Sequence, residues 1–169
     1  MDDRSPLTLD EGLRRAVGEL AAEVHTSAPA GRVLLVGGDD WVHAHLAAFW
    51  GVVTRVDAAS AQSAALPFDD DAFEVVVALH VLERAADPEA VLGELQRVSH
   101  GHVVTAGARK RLARVASLVR GRHVATGGRD PSHRHQWTTP GFLRLASRFG
   151  GVRASRLPLG WTAVWITRN

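Results

Sequence analysis

Phe73–Leu79, FEVVVAL, is a short and nearly continuous apolar run rich in Val. A run of this kind suits a strand buried on both faces, as in a parallel sheet. Parallel neighbours need a crossover, and the chain supplies one. Asp87-Pro88-Glu89 is a helix start, with Asp at the cap, Pro at the first position and Glu in the first turn. Val91, Leu92, Leu95 and Val98 then recur at helical spacing, and His102–Thr105 is a second β-branched run after Gly101. Strand, helix, strand with short joints is a βαβ unit, which places the chain in the α/β class.

The rest of the sequence fits around that unit. Thr8–Ser27 carries Leu9, Leu13, Val17, Leu20 and Val24 near helical spacing and reads as an amphipathic helix, ended by Ser27–Gly31. Arg32–Val36 is a buried strand, and Gly37–Asp40 is a turn. Asp40–Trp50 is the first crossover helix, and Val52–Val56 is the second strand, ending at Asp57. Ala58–Ala65 is a small-residue linker. Ala108–Val119 reads as a basic helix and Gly121–Ser132 as a loop. Thr139-Pro140 opens a helix to Phe149, closed by Gly150-Gly151. Val152–Leu159 and Trp161–Thr167 are two strands joined at Pro158–Gly160, an expected antiparallel pair. The organisation expected is an N-terminal helix over 1–30 and a single globular domain over 31–169.

Composition narrows the function classes. The 169 residues are 46% hydrophobic and 22% charged, the balance of an ordinary globular protein with a real core. No apolar run approaches ~20 residues, so no membrane span is expected. The N-terminal MDDRSPLTLDEGL has no apolar signal region, which points to the cytoplasm. With no Cys, thiolate chemistry, disulfides and zinc-thiolate sites are excluded. The formal charge is only +2, but it is unevenly spread. Residues 1–108 hold 7 basic and 17 acidic side chains, and residues 109–169 hold 13 basic and one acidic. Two halves that attract each other within one domain account for this. An anionic substrate or partner meeting Arg109–Arg134 is the sharper alternative, and nucleic acid is not expected.

The stretch Ala65–Ser99 resembles the middle of class I S-adenosylmethionine-dependent methyltransferases, in particular the type 11 family. The residues that carry the resemblance are Leu66, Pro67, Phe68, Asp71, Phe73, Val75, Val77, Val81, Leu82, Glu83, Asp87, Pro88, Leu92, Glu94, Arg97 and Val98. Asp130–Gly151, DPSHRHQWTTPGFLRLASRFGG, is similar to the family segment that precedes the last helix and the closing hairpin. The resemblance spans about residues 31–169. It implies a Rossmann-like methyltransferase fold: a mostly parallel open sheet, helices on both faces and a C-terminal antiparallel hairpin. The family places a helix and a strand between the positions of Asp57 and Leu66. The eight residues present here imply that the helix is absent and the sheet shortened on that side.

The same resemblance implies S-adenosylmethionine as cofactor and assigns candidate site residues. The family loop (V/L)-L-(D/E)-x-G-x-G-x-G falls on Val33–Trp41. Gly37 matches, Gly38 sits one position early, and Leu35, Asp39 and Trp41 replace the acid and two glycines. Gly37, Gly38 and Asp39 are therefore the cofactor-loop candidates. Asp57 takes the place of the acid that accepts from both ribose hydroxyls, and a carboxylate, acceptor-only with two oxygens, suits a vicinal diol. Gln62 is the candidate for the adenine amine, with Leu66 and Phe68 flanking the ring. His80, just past its strand, lies at the carboxyl edge where open α/β sheets bind ligands and is the candidate general base. Trp137 and His133 are placed on the substrate side. His133 and His135, two apart on a loop with Asp130 nearby, lack a third clear ligand, and no metal is expected.

Two functions follow. One is methyl transfer to a small-molecule acceptor, favoured by Asp57, His80 and the intact Leu66–Val98 run. The other is a catalytically inactive relative acting through a protein partner or as a homo-oligomer, favoured by Leu35, Asp39 and Trp41.

Overall fold

The computed structural model describes residues 9–63, 65–108, 134–135, 137–156 and 161–168. Its elements in chain order are α1 (Leu9–Ser27), β1 (Val33–Gly37), α2 (Asp40–Trp50), β2 (Val53–Val56), α3 (Ser60–Ser63) and β3 (Phe73–Leu79). They continue with α4 (Pro88–Arg97), β4 (Ser99–Ala108), α5 (Thr139–Ala146), β5 (Gly151–Arg156) and β6 (Trp161–Thr167). The six strands form one sheet in the order β2-β1-β3-β4-β6-β5. β2, β1, β3 and β4 are parallel neighbours, and β6 runs antiparallel to both β4 and β5. This is the Rossmann-like architecture expected from the sequence, with the antiparallel hairpin at one edge.

Alternation along the strands divides the core into two layers. Val33 and Leu35 of β1, Val75, Val77 and Leu79 of β3, and Ala163 and Trp165 of β6 face α1 and α2. Leu34 and Val36, Val76 and Ala78, and Val164 and Ile166 face α4 and α5. Every residue of β1 is buried, which is why its sequence shows no alternation. α1 contributes Val17, Leu20, Ala21 and Val24 to the first layer. Full burial of a Leu or Val side chain is worth roughly 1.5–3 kcal/mol, enough to hold this helix against the sheet.

The two crossovers around β1 explain the shortening. From β1 to β2 the chain steps toward the sheet edge, and α2 lies on the first layer through Val42 and Leu46. From β2 to β3 it steps back past β1, with Ala61 and Leu66 on the second layer. Opposite directions on opposite faces are the mark of same-handed crossovers. The return is so short that the linker expected to hold no helix winds into a single turn, Ser60–Ser63, capped by Asp57. β2 is left at the edge among the described residues. On its helix-facing side Arg55 meets Asp40 of α2 at 2.5 Å, an exposed ion pair.

Several boundaries differ from the sequence reading. β4 runs over Ser99–Ala108 rather than the β-branched His102–Thr105 alone, because pairing with both β3 and β6 extends it. α5 ends at Ala146 rather than Phe149, where backbone bonds to Arg148 and Phe149 tighten into turns. β5 begins at Gly151 and is described to Arg156. The basic helix expected at Ala108–Val119 and the loop at Gly121–Ser132 lie outside the described residues, apart from Ala108. The joint at Pro158–Gly160 also lies outside them.

Candidate functional site

Strand register brings the expected site together. Val36 pairs with Val56, so Gly37 and Asp57 leave neighbouring strands at the same level. Gly37 pairs in turn with Leu79, and His80 follows directly. Asp57, Gly37, Gly38 and His80 thus stand at the carboxyl ends of three adjacent strands, the edge where open α/β sheets hold ligands.

The loop geometry depends on the glycines. Gly37 has φ +75 and Gly38 φ +73, values an L side chain rarely adopts. A Cβ on Gly37 would meet the Leu79 carbonyl oxygen at 2.7 Å, so this turn is closed to any other residue. Gly38 would meet only ordinary contacts from Val42 and Leu35. Asp39 does not present its carboxylate to the loop. It caps α2, its Oδ1 accepting from the Val42 amide at 2.9 Å. Leu35, in place of an acid, is fully buried in the first core layer. Trp41 stacks on His45, with centroids 5.0 Å apart and planes at 17°, and packs against the same layer. The indole is thereby committed to the helix side of the loop.

Asp57 is exposed at the end of β2. Its Oδ1 accepts from the Ser60 amide at 2.8 Å and from the Ser60 hydroxyl at 3.2 Å. Those two bonds, the amide first, hold its carboxyl below the usual range, so it is a carboxylate at neutral pH. Gln62 lies in α3, directly after this cap, and its side chain is outside the described residues. Leu66 is buried in the second layer. With Phe68 it lines an open groove of about 540 Å³ shared with Arg32, Thr54 and Phe73. Arg32 precedes β1 and Phe73 begins β3, so this groove faces the amino ends of the strands, away from Gly37 and Asp57.

His80 holds a left-handed backbone, φ 55, at the end of β3. A non-glycine residue there is a local strain that the surrounding structure must enforce. Its Nδ1 lies 3.7 Å from Glu83 Oε1, within ion-pair range but beyond a hydrogen bond. The Glu83 carbonyl accepts from the His135 amide at 2.9 Å, which ties the returning C-terminal segment to the loop after β3. His135 stacks on Trp137 at 5.3 Å and 4°, and Trp137 on Phe142 at 5.3 Å and 24°. Trp137 is therefore held beside the His80–Glu83 loop through His135. His133 lies outside the described residues. No group of three or more His, Cys, Asp or Glu able to hold a metal occurs among the described residues.

One structural pair beneath the loop before β3 was not singled out for its role in the sequence. Arg97 donates to the carbonyls of Leu66 and Phe68, to Asp70 and to Glu94, and Glu94 Oε1 accepts the Leu66 amide at 2.5 Å. The two side chains of α4 clamp the loop that delivers the chain into β3. The signal was available as Glu-x-x-Arg, neighbours on one helix face. What they hold is set only by the fold.

Comparison with known proteins finds the same likeness. Residues 36–105 match the family model described as a methyltransferase domain. That stretch is 70 of the 169 residues. The fold of the chain is similar to that of S-adenosylmethionine-dependent methyltransferases, as solved structures of low identity show. A possible histamine N-methyltransferase from Thermotoga maritima has 15% identity and a TM-score of 0.58, covering 92% of this chain and 91% of its own. Magnesium protoporphyrin IX methyltransferase from Synechocystis, solved with bound S-adenosylhomocysteine, has 13% identity and a TM-score of 0.62, covering 98% and 90%. A Haloferax volcanii chain from a complex with the Trm112 methyltransferase activator has 12% identity and a TM-score of 0.66, covering 92% and 91%. No curated protein matches the sequence. No helix among the described residues is long and apolar enough to cross a membrane.

Proposed function

We propose that this methyltransferase domain binds S-adenosylmethionine at the ends of β1 and β2 and passes its methyl group to a small-molecule acceptor held near His80 and Trp137. The observation that supports this most is the register that sets Gly37, Gly38, Asp57 and His80 at one level on three neighbouring strands. The residues present fit the cofactor. Two consecutive left-handed glycines leave the loop free of Cβ atoms, and an ionised, exposed carboxylate stands opposite them. Asp57 would hold the ribose hydroxyls while Ser60 fixes the orientation of its carboxylate. Asp39 serves the loop by starting α2 rather than by touching ligand. When bound, the cofactor supplies an electrophilic methyl on a sulfonium.

The remaining chemistry belongs to this chain. Methyl transfer is an in-line displacement, so positioning the acceptor supplies much of the catalysis. The stack of His135, Trp137 and Phe142 offers the acceptor a flat apolar wall. His80 takes the proton from an acceptor hydroxyl or amine, with Glu83 beside Nδ1 to stabilise the imidazolium that results. The many Arg residues after position 108 favour an acceptor carrying negative charge.

Calorimetric titration with S-adenosylmethionine and S-adenosylhomocysteine tests the reading. Micromolar binding is expected, weakened about tenfold or more by Asp57→Ala, a loss of at least ~1.4 kcal/mol. Asp57→Asn keeps a capping oxygen for α3 and separates loss of the carboxylate from loss of the turn. Absence of binding at millimolar ligand would overturn the reading and leave a catalytically inactive binding protein as the alternative.

A further inference from the structure

The register that aligns the candidate site continues across the sheet. Leu79 pairs with Ala106, and Ala106 pairs with Ala163 of β6. One residue further toward the carboxyl ends of β3 and β4, His80, Gly107 and Thr162 stand at one level. Gly107 pairs directly with Thr162. Val164 and Ile166 face the α4 and α5 layer, so Thr162, two residues before Val164 in β6, projects to the same face. Trp137 and Phe142 pack on that face too.

Thr162 is 6% exposed, and its Oγ1 is buried with no hydrogen-bond partner among the described residues. A buried hydroxyl in that state costs folding free energy and calls for an explanation. At the ligand edge of an open sheet, the explanation is a polar group that arrives with the substrate. His135 Nε2, in the stack that walls the acceptor, is orphaned in the same way. The orphaned nitrogens of His25 and Trp165 belong to rings packed on the opposite face.

We propose that Thr162 is the second polar contact for the methyl acceptor. Its hydroxyl donates to an oxygen on the far side of a single aromatic ring whose methylatable hydroxyl meets His80. This rests on the reading of the site given above and adds the class of acceptor. Two strand spacings separate the Cα atoms of His80 and Thr162, about 10 Å. One six-membered ring with polar groups at opposite ends, and its two hydrogen bonds, bridges such a gap. Gly107 has no side chain, so nothing on β4 stands between the two contacts. The flat stack of His135, Trp137 and Phe142 suits a planar ring. A carboxylate on the far side makes the stronger, charge-assisted bond to the hydroxyl and agrees with the Arg-rich chain after position 108.

The probes are para-hydroxybenzoate and para-cresol, in which a methyl replaces the carboxylate across the same ring. With the protein saturated by S-adenosylhomocysteine, calorimetry is expected to show para-hydroxybenzoate binding about tenfold or more tighter than para-cresol. Thr162→Val keeps the shape, loses the hydroxyl and is expected to abolish that difference, which Thr162→Ser retains. Without ligand, Thr162→Val is expected to melt at or above the wild-type temperature, since an orphaned hydroxyl adds nothing to the fold. A Tm lower by about 2 °C or more overturns the proposal, because the hydroxyl is then satisfied inside the protein, for instance by a held water. Equal binding of the two probes by the wild type overturns it as well, and so does a difference that survives in Thr162→Val. S-adenosylhomocysteine affinity is expected to be the same in all three proteins, because β3 and β4 separate β6 from β1 and β2. A wild type that binds S-adenosylhomocysteine but fails the probe comparison overturns this inference alone. One that does not bind it overturns the cofactor reading and this inference with it.

Discussion

Gly37 is the residue on which the site turns. Its positive φ and the 2.7 Å approach of the Leu79 carbonyl leave no room for a Cβ. Gly37→Ala is expected to lower stability by about 1–3 kcal/mol, read by urea unfolding, and to abolish binding of S-adenosylhomocysteine. Glu94 is a second such residue, because its carboxylate is the acceptor for the buried Leu66 amide. Glu94→Ala leaves that donor unsatisfied and is expected to reduce unfolding free energy by about 1–3 kcal/mol. The same carboxylate gives a pH dependence. Its pKa is lowered chiefly by its hydrogen bond to Arg97, and Asp57 and Asp40 are lowered by Ser60 and Arg55. The unfolded chain therefore binds more protons than the folded one below the ordinary carboxylate pKa. These contributions are full above about pH 4.5 and disappear as the pH falls through the lower folded values. Acid unfolding followed by circular dichroism should show a shallower slope for Glu94→Gln. At this scale the sequence was only partly legible. The sequence singled out Gly37 and Asp57, which the fold sets at neighbouring strand ends, whereas Asp39 gave no sign that its carboxylate would be spent on Val42.

The helices begin where the sequence says they should, because capping is a local interaction. Asp39 starts α2, Asp87 accepts from Glu89 and Ala90 to start α4, and Thr138 accepts from Gly141 to start α5. Asp39→Ala is expected to remove about 1 kcal/mol of stability while Asp39→Asn removes almost none. Cofactor affinity, measured by titration, should be equal in the wild type and Asp39→Asn. A selective loss of affinity in Asp39→Asn would return Asp39 to the ligand. Helix ends and strand lengths were less legible, because distant pairing fixes them. β4 extends well beyond its β-branched run since β3 and β6 bracket it, and Ala58–Ala65 forms a turn of helix because Asp57 caps it.

The molecule as a whole predicts how ligand and stability are linked. A ligand that binds only the folded chain, present at a hundred times its dissociation constant, adds about 2.7 kcal/mol of stability. For a chain of this size that is roughly a 5–10 °C rise in Tm with S-adenosylhomocysteine. No rise at saturating ligand would separate this chain from the catalytic members of its fold. The sequence by itself determined the α/β class, the strand and helix order, the Asp87 cap and the resemblance to methyltransferases, since apolar periodicity and capping act over a few residues and are written locally. Only the tertiary structure decided which side chains share a place. It set Asp57 beside Gly37 and His80, turned Trp41 toward His45, clamped Leu66 with Glu94 and Arg97, and left β2 at the edge. Those outcomes depend on strand register and crossover length, which join residues far apart in the chain and leave no local trace.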